Sequence, residues 1–135
     1  METMNILYVE DDEPSRFVMK FIVQSMGENA QIVMFENSQN FKEKLVDLHP
    51  EPDVILLDIQ MKPINGFAML DLLREDNRFQ NKTIIALTAS VMNEEIQQLK
   101  DAGFDGVIAK PIDMDLFPRM LQRILDKEKV WYVTT

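Results

Sequence analysis

The chain has 135 residues, 46% of them hydrophobic and 27% charged, which suits one packed domain and is too short for two full ones. Its formal net charge of −9 repels a phosphodiester backbone, so direct nucleic-acid binding is not expected. Zero cysteines and one histidine exclude a disulfide framework, thiol catalysis and Cys-ligated metals, and leave little for histidine-based hydrolysis. No apolar run approaches the ~20 residues of a spanning helix, and the start Met-Glu-Thr-Met-Asn has no basic region leading into an apolar stretch. A cytoplasmic protein without a membrane partner is expected.

In chain order, short β-rich runs alternate with segments whose apolar residues recur every three to four positions. The first strand is Ile6-Leu7-Tyr8-Val9, followed by a helix with a stripe of Phe17, Val18, Phe21 and Ile22. The second strand spans Gln31 to Phe35, and its helix carries Phe41, Leu45 and Leu48. Val54-Ile55-Leu56-Leu57 makes the third strand, before a helix from about Gly66 to Glu75 with Leu70 and Leu73 inward. The fourth strand, Thr83 to Leu87, precedes a helix from Asn93 to Ala102 with Ile96 and Leu99 inward. Gly106-Val107-Ile108 is the fifth, and the last helix shows Phe117, Met120, Leu121, Ile124 and Leu125. The almost wholly apolar first and third strands suit burial on both faces, and regular β/α alternation implies a parallel sheet with right-handed crossovers. The expected fold is α/β, doubly wound, with helices on both faces of a five-stranded sheet.

In such a sheet the ligand crevice lies beyond the carboxyl ends of the strands. Strand one ends in Glu10-Asp11-Asp12, strand three in Asp58, strand four in Thr88 and strand five in Lys110-Pro111. In the flavodoxin-like order 2-1-3-4-5, strands 1, 3, 4 and 5 are neighbours, and these groups share one crevice. Each alone is also what a helix cap, a turn former or a solvated lysine looks like. Together they set carboxylates, a hydroxyl and an ammonium along one sheet edge, which surface decoration seldom does.

Carboxylates ~4 Å apart repel by about 4 kcal/mol at an effective dielectric near 20, so one takes a proton or a cation enters. An oxygen-only donor set favours a hard ion; Mg²⁺ fits best and Mn²⁺ could substitute. A carboxylate beside such an ion and a lysine is equipped for phosphoryl transfer. Asp58 would be the nucleophile, Lys110 would neutralise phosphoryl oxygens, and Thr88 would donate a hydrogen bond to the new group and draw its loop inward.

At these residues the chain resembles the receiver domain of two-component response regulators over about residues 4 to 128. Ile6 to Pro14, with Glu10 and Asp11, resembles the acidic metal pocket; Asp53 to Met61 resembles the phosphoacceptor segment. Asn65-Gly66 matches the turn opening the third helix, Ala86-Leu87-Thr88-Ala89 the switch hydroxyl and Ala109-Lys110-Pro111 the phosphate-binding lysine. The resemblance implies Asp58 as phosphoacceptor and the Gln60 backbone carbonyl as a further metal ligand beside Glu10, Asp11 and Asp58. It also implies a cis Lys110-Pro111 peptide that aims Lys110 at the pocket. The implied partners are a histidine kinase or histidine phosphotransfer domain, and a downstream protein on the face of the fourth helix, fifth strand and fifth helix. The chain would be an autocatalytic switch, not a turnover enzyme.

Two positions depart from the family pattern. The proline four residues after the acceptor is here Lys62, with the proline displaced to Pro63, and the switch aromatic three residues before the lysine is Val107. A small β-branched side chain cannot make the swing of a ring, so another group, such as the segment Ala89 to Asn93, would have to report the phosphoryl state. Two alternatives stay open: a Mg²⁺-dependent phosphohydrolase forming an aspartyl phosphate, and a receiver-like interaction module that no longer switches. The expected layout is a receiver domain over residues 1–129 and a tail over 130–135, with no output domain. In that tail Trp131 and Tyr132 either dock or mark a boundary. His49, before a Pro-Glu-Pro turn, reads as an exposed loop residue and not as a relay histidine.

Overall fold

A computed structural model describes residues 3–126 and 130–131. The elements follow as β1 (Met4–Val9), α1 (Glu13–Ser25), β2 (Ala30–Phe35), α2 (Phe41–Val46), β3 (Val54–Asp58), α3 (Gly66–Arg74), β4 (Thr83–Thr88), α4 (Asn93–Ala102), β5 (Gly106–Ala109), α5 (Phe117–Leu125) and β6 (Val130–Trp131). The sheet order is β2-β1-β3-β4-β5-β6, with every neighbouring pair parallel. The expected doubly wound order is therefore present, extended at one edge by a two-residue strand. Residues 130 and 131, read from the sequence as part of a tail, join the sheet; Tyr132 and the rest of that tail lie outside the described residues.

Side-chain alternation along the strands builds two core layers. Ile6, Tyr8, Leu56, Ile85, Leu87 and Ile108 meet Met19, Ile22 and Val23 of α1 and Phe117, Met120, Leu121 and Ile124 of α5. On the other face Leu7, Val9, Ile55, Leu57, Ala86 and Val107 meet residues of α2, α3 and α4, including Phe41, Leu45, Met69, Leu70, Leu73, Ile96 and Leu99. β3 is buried along its whole length, as a central strand covered on both faces must be. The side chain of Leu125 lies outside the described residues.

The stripe on α1 differs from expectation. Phe17 and Phe21 are 72% and 53% exposed, while Met19, Ile22 and Val23 are buried and Val18 packs at the margin. Apolar residues at 17, 18, 19, 21, 22 and 23 wrap too much of the helix to define one face. The stripe through Met19, Ile22, Val23 and Met26, spaced by three and four, is the one turned to the sheet. α2 is short, and Leu48 reaches the core from just beyond it, its N–H bonded to the Leu45 carbonyl at 3.2 Å.

Strands β3 and β4 each run one residue beyond the sequence expectation, to Asp58 and Thr88. Asp58 pairs in register with Leu87, and Thr88 with Ala109. Both polar residues are therefore fixed by the ladder itself rather than by a loop.

Candidate functional site

At the carboxyl ends of the strands the chain leaves β1 into Glu10, whose N–H continues the ladder by donating to the Phe35 carbonyl at 3.1 Å. Asp12 then caps α1, accepting from the Ser15 N–H at 2.9 Å and the Ser15 hydroxyl at 2.5 Å. The Ser15 hydroxyl and then its N–H hold the Asp12 carboxyl below the usual range. Asp12 is thus occupied at the helix start, and Glu10 and Asp11 are the acids that face the crevice. One carboxylate oxygen from each of Glu10, Asp11 and Asp58 lies within 4.8 Å of the others.

Glu10 is fully buried and Asp58 is 5% exposed, while Asp11 is open to solvent. Glu10 Oε1 accepts from Lys110 Nζ at 2.7 Å and from the Tyr8 hydroxyl at 3.1 Å, and Oε2 accepts from the Asp12 N–H at 3.4 Å. Asp58 Oδ2 accepts from Lys110 Nζ at 3.3 Å and Oδ1 from the Gln60 N–H at 3.2 Å. Lys110 is itself anchored by its N–H, which donates to the Thr88 carbonyl at 2.8 Å, and the Lys110–Pro111 peptide is cis.

The electrostatics follow from burial. Desolvation, reinforced by the neighbouring Asp58 carboxyl, pushes the Glu10 pKa up, with Lys110 acting against the rise. Burial works against the Lys110 charge, but the hydrogen bond to Glu10 and the charge on Asp58 outweigh it and raise the Lys110 pKa. Burial and then the Glu10 charge push the Tyr8 hydroxyl well above its usual range, so Tyr8 stays a donor.

The donor set fits a hard divalent ion, since the three converging groups are carboxylates with no nitrogen or sulfur ligand among them. The Gln60 N–H faces Asp58; a role for its carbonyl rests on the resemblance.

Thr88 stands beside the cluster and is 6% exposed. Its hydroxyl donates to the Ser90 carbonyl at 3.3 Å and accepts from the Ser90 N–H at 3.1 Å. Ser90 in turn donates through its hydroxyl to Glu95 in the first turn of α4, where Glu95 also accepts from the Met92 N–H at 3.2 Å. Gln60, Phe67, Thr88, Ser90 and Glu95 line one cleft. Val107 is fully buried, in register with Ala86 on one side and Trp131 on the other. Lys62 and His49 are exposed.

Below the cluster, Gly66 opens α3 under tight packing. A Cβ on Gly66 would lie 2.8 Å from the Ile59 Cα and 3.1 Å from the Asp58 carbonyl oxygen. Asn65 caps the helix by accepting from the Ala68 N–H at 2.9 Å, and the Gly66 N–H bonds to the Ile59 carbonyl at 3.0 Å. The turn after β3 is thus locked one residue from Asp58.

Sequence reasoning missed Tyr8 and the bond from Ser90 to Glu95, although Ser90 lies in the segment Ala89 to Asn93 expected to report the phosphoryl state. The signal for Tyr8 was available, because a residue two before Glu10 on a strand shares its side of the sheet. For Ser90 the segment was legible from the Val107 departure, but its partners were not, since they depend on how the loop after β4 folds back on Thr88.

Comparison with known proteins places the chain by sequence and by fold. The chain is 30% identical over 121 residues to an uncharacterized 14.6 kDa protein of Leptolyngbya boryana, covering 89% of this chain and 88% of that one. It is 28% identical over 122 residues to the polar-differentiation response regulator DivK of Brucella anthropi, covering 89% and 92%. Other relatives are longer: the chain spans 47% of a stress response regulator of Candida tropicalis and 16% of the aerobic respiration control sensor ArcB of Escherichia coli. In fold it resembles the chemotaxis protein CheY4 of Vibrio cholerae, with a TM-score of 0.79 at 23% identity over 90% of this chain and 98% of that one. It also resembles the receiver domain of sensor histidine kinase PA1611 of Pseudomonas aeruginosa, solved with magnesium in its active-site cleft, with a TM-score of 0.76 at 24% identity over 90% and 96%. A family profile described as the response regulator receiver domain matches residues 6–124, and the chain belongs to that family.

Proposed function

We propose that this chain is a phosphorylation-dependent switch of a two-component or phosphorelay pathway. In this reading Asp58 accepts a phosphoryl group from the phosphohistidine of a histidine kinase or a histidine phosphotransfer domain. The observation that carries it is the convergence of Glu10, Asp11 and Asp58 within 4.8 Å, with Lys110 Nζ 3.3 Å from Asp58. Glu10, Asp11, Asp58 and the Gln60 carbonyl would hold Mg²⁺, or Mn²⁺ in its place. When bound, the ion supplies charge neutralisation at the phosphoryl oxygens.

An Asp58 carboxylate oxygen attacks phosphorus in line. The new P–O bond forms as the P–N bond to the donor imidazole breaks; the electron pair leaves on that nitrogen, which is protonated from solvent. Lys110, held between Glu10 and Asp58, offers an ammonium to the charge that arrives. The Thr88 hydroxyl, paired with Ser90 in the unmodified protein, re-aims toward a phosphoryl oxygen. That releases Ser90, whose bond to Glu95 leads to the start of α4. The α4–β5–α5 face then presents the signal to a downstream protein. Hydrolysis of the acyl phosphate resets Asp58, so the chain switches and turns over no separate substrate.

With Mg²⁺ and acetyl phosphate as a small donor, the full chain should gain one base-labile phosphoryl group in its intact mass. Asp58→Asn should gain none. Equal labelling of that variant would reject the assignment.

A further inference from the structure

The two-residue strand β6 sits where the signal has to leave. It runs parallel to β5, with Gly106 opposite Val130 and Val107 opposite Trp131. Trp131 is the sole tryptophan of the chain. It is half-buried and packs against the core layer that holds Val107, Ile96 and Leu99. From α4, Lys100 Nζ lies 5.0 Å from the centre of the indole ring, a cation–π contact. A strand this short has few ladder hydrogen bonds of its own, so its seat on β5 depends on what grips the ring.

Both gripping elements are tied to Thr88. α4 is joined to it through Ser90 and Glu95, and β5 through the pairing of Thr88 with Ala109 and the Lys110 N–H on the Thr88 carbonyl. A change in the Thr88 hydroxyl's partner therefore alters the two surfaces between which Trp131 is held.

We propose that β6 is a strap. While Asp58 is unmodified, Val130 and Trp131 cover the free edge of β5 and with it part of the α4–β5–α5 face. Phosphorylation of Asp58 loosens the Lys100–Trp131 grip and uncovers that edge for the downstream partner. The inference rests on the phosphoacceptor reading above. It adds that Trp131, and not the buried Val107, reports the state of the pocket. Coupling between two sites is reciprocal, so weakening the strap must also favour the phosphorylated form.

Intrinsic tryptophan fluorescence of the full chain reads Trp131 alone. Adding Mg²⁺ and beryllofluoride, a phosphoryl mimic, should red-shift the emission and raise its quenching by acrylamide. Asp58→Asn should show no change. Lys100→Ala, on the exposed side of α4, should be red-shifted before any mimic is added. Trp131→Ala should bind beryllofluoride about fivefold more tightly, read by fluorine NMR of the bound species. Bound beryllofluoride with unchanged Trp131 emission, or an unaltered affinity in Trp131→Ala, would overturn the strap and leave the phosphoacceptor assignment standing. Failure of the wild-type chain to bind the mimic at all would overturn both.

Discussion

Lys110 donates to Glu10 Oε1 at 2.7 Å, closer than its 3.3 Å approach to Asp58, across 100 residues of sequence. The lysine of the acid cluster is thus held chiefly by the acid that is fully buried. Its side chain is only 19% exposed, so the pair is poorly screened by solvent. Lys110→Ala strands a buried carboxylate and should cost about 3 kcal/mol in urea denaturation. The same variant should bind Mg²⁺ more tightly than wild type, because a competing cation has gone from the acid cluster, yet accept phosphoryl from acetyl phosphate more slowly. Lys62→Ala, at an exposed position, should change neither.

Divalent-ion binding should show as stability. At a Mg²⁺ concentration about 100 times its dissociation constant, the folded state gains about 2.7 kcal/mol. Thermal melts with and without EDTA measure this gain. Asp11→Asn, which removes one of the three converging carboxylates, should lose most of it while melting normally without metal.

The Glu10 carboxyl gives a pH dependence of fixed sign. Its folded-state pKa is raised from an ordinary value near 4.5, so without metal its contribution to stability is fully present below that value. The contribution is lost as pH rises through the folded pKa. Denaturation curves of wild type and Glu10→Gln in EDTA should therefore diverge above pH about 4.5, with wild type losing stability relative to the variant. Mg²⁺ should reverse the trend by favouring the ionised carboxylate. Lys110, also raised, contributes stability that is present below its unfolded pKa and lost only at alkaline pH, outside this window.

Gly66→Ala tests the turn below Asp58. The added methyl would lie 2.8 Å from the Ile59 Cα, and backbone has to move to accept it. A loss of about 1–3 kcal/mol is expected. Because Ile59 follows Asp58 directly, phosphoryl acceptance should slow as well. Asn65→Ala, which removes only the helix cap, should cost about 1 kcal/mol and leave the acceptance rate near wild type.

The parts of the molecule that were legible before the fold share one property: their chemistry and their periodicity coincide. Asp58 and Thr88 directly follow short apolar runs read as strands, so their place at the sheet edge followed from that reading. From the residues alone Glu10, Asp11 and Asp12 were legible together as acids after β1 or as caps; only the resemblance singled out Glu10 and Asp11, and the bonds from Ser15 to Asp12 give the physical reason. The face of α1 was not legible, because its apolar residues outnumber one stripe; Phe17 and Phe21 turned out to be exposed. Nor was β6, since two residues carry no period and Trp131 finds its seat through Lys100 and β5, both distant in sequence. Tyr8 looked like core and is core, and its hydroxyl matters only because Glu10 lies beside it.

Site mapping of the acyl phosphate is the most direct test of the central claim. After phosphorylation with acetyl phosphate and Mg²⁺, borohydride trapping and tandem mass spectrometry should find the modification at Asp58 alone, and it should vanish in EDTA. Label on a hydroxyl or a lysine, or label at Asp58 that is unaffected by metal removal, would contradict the account.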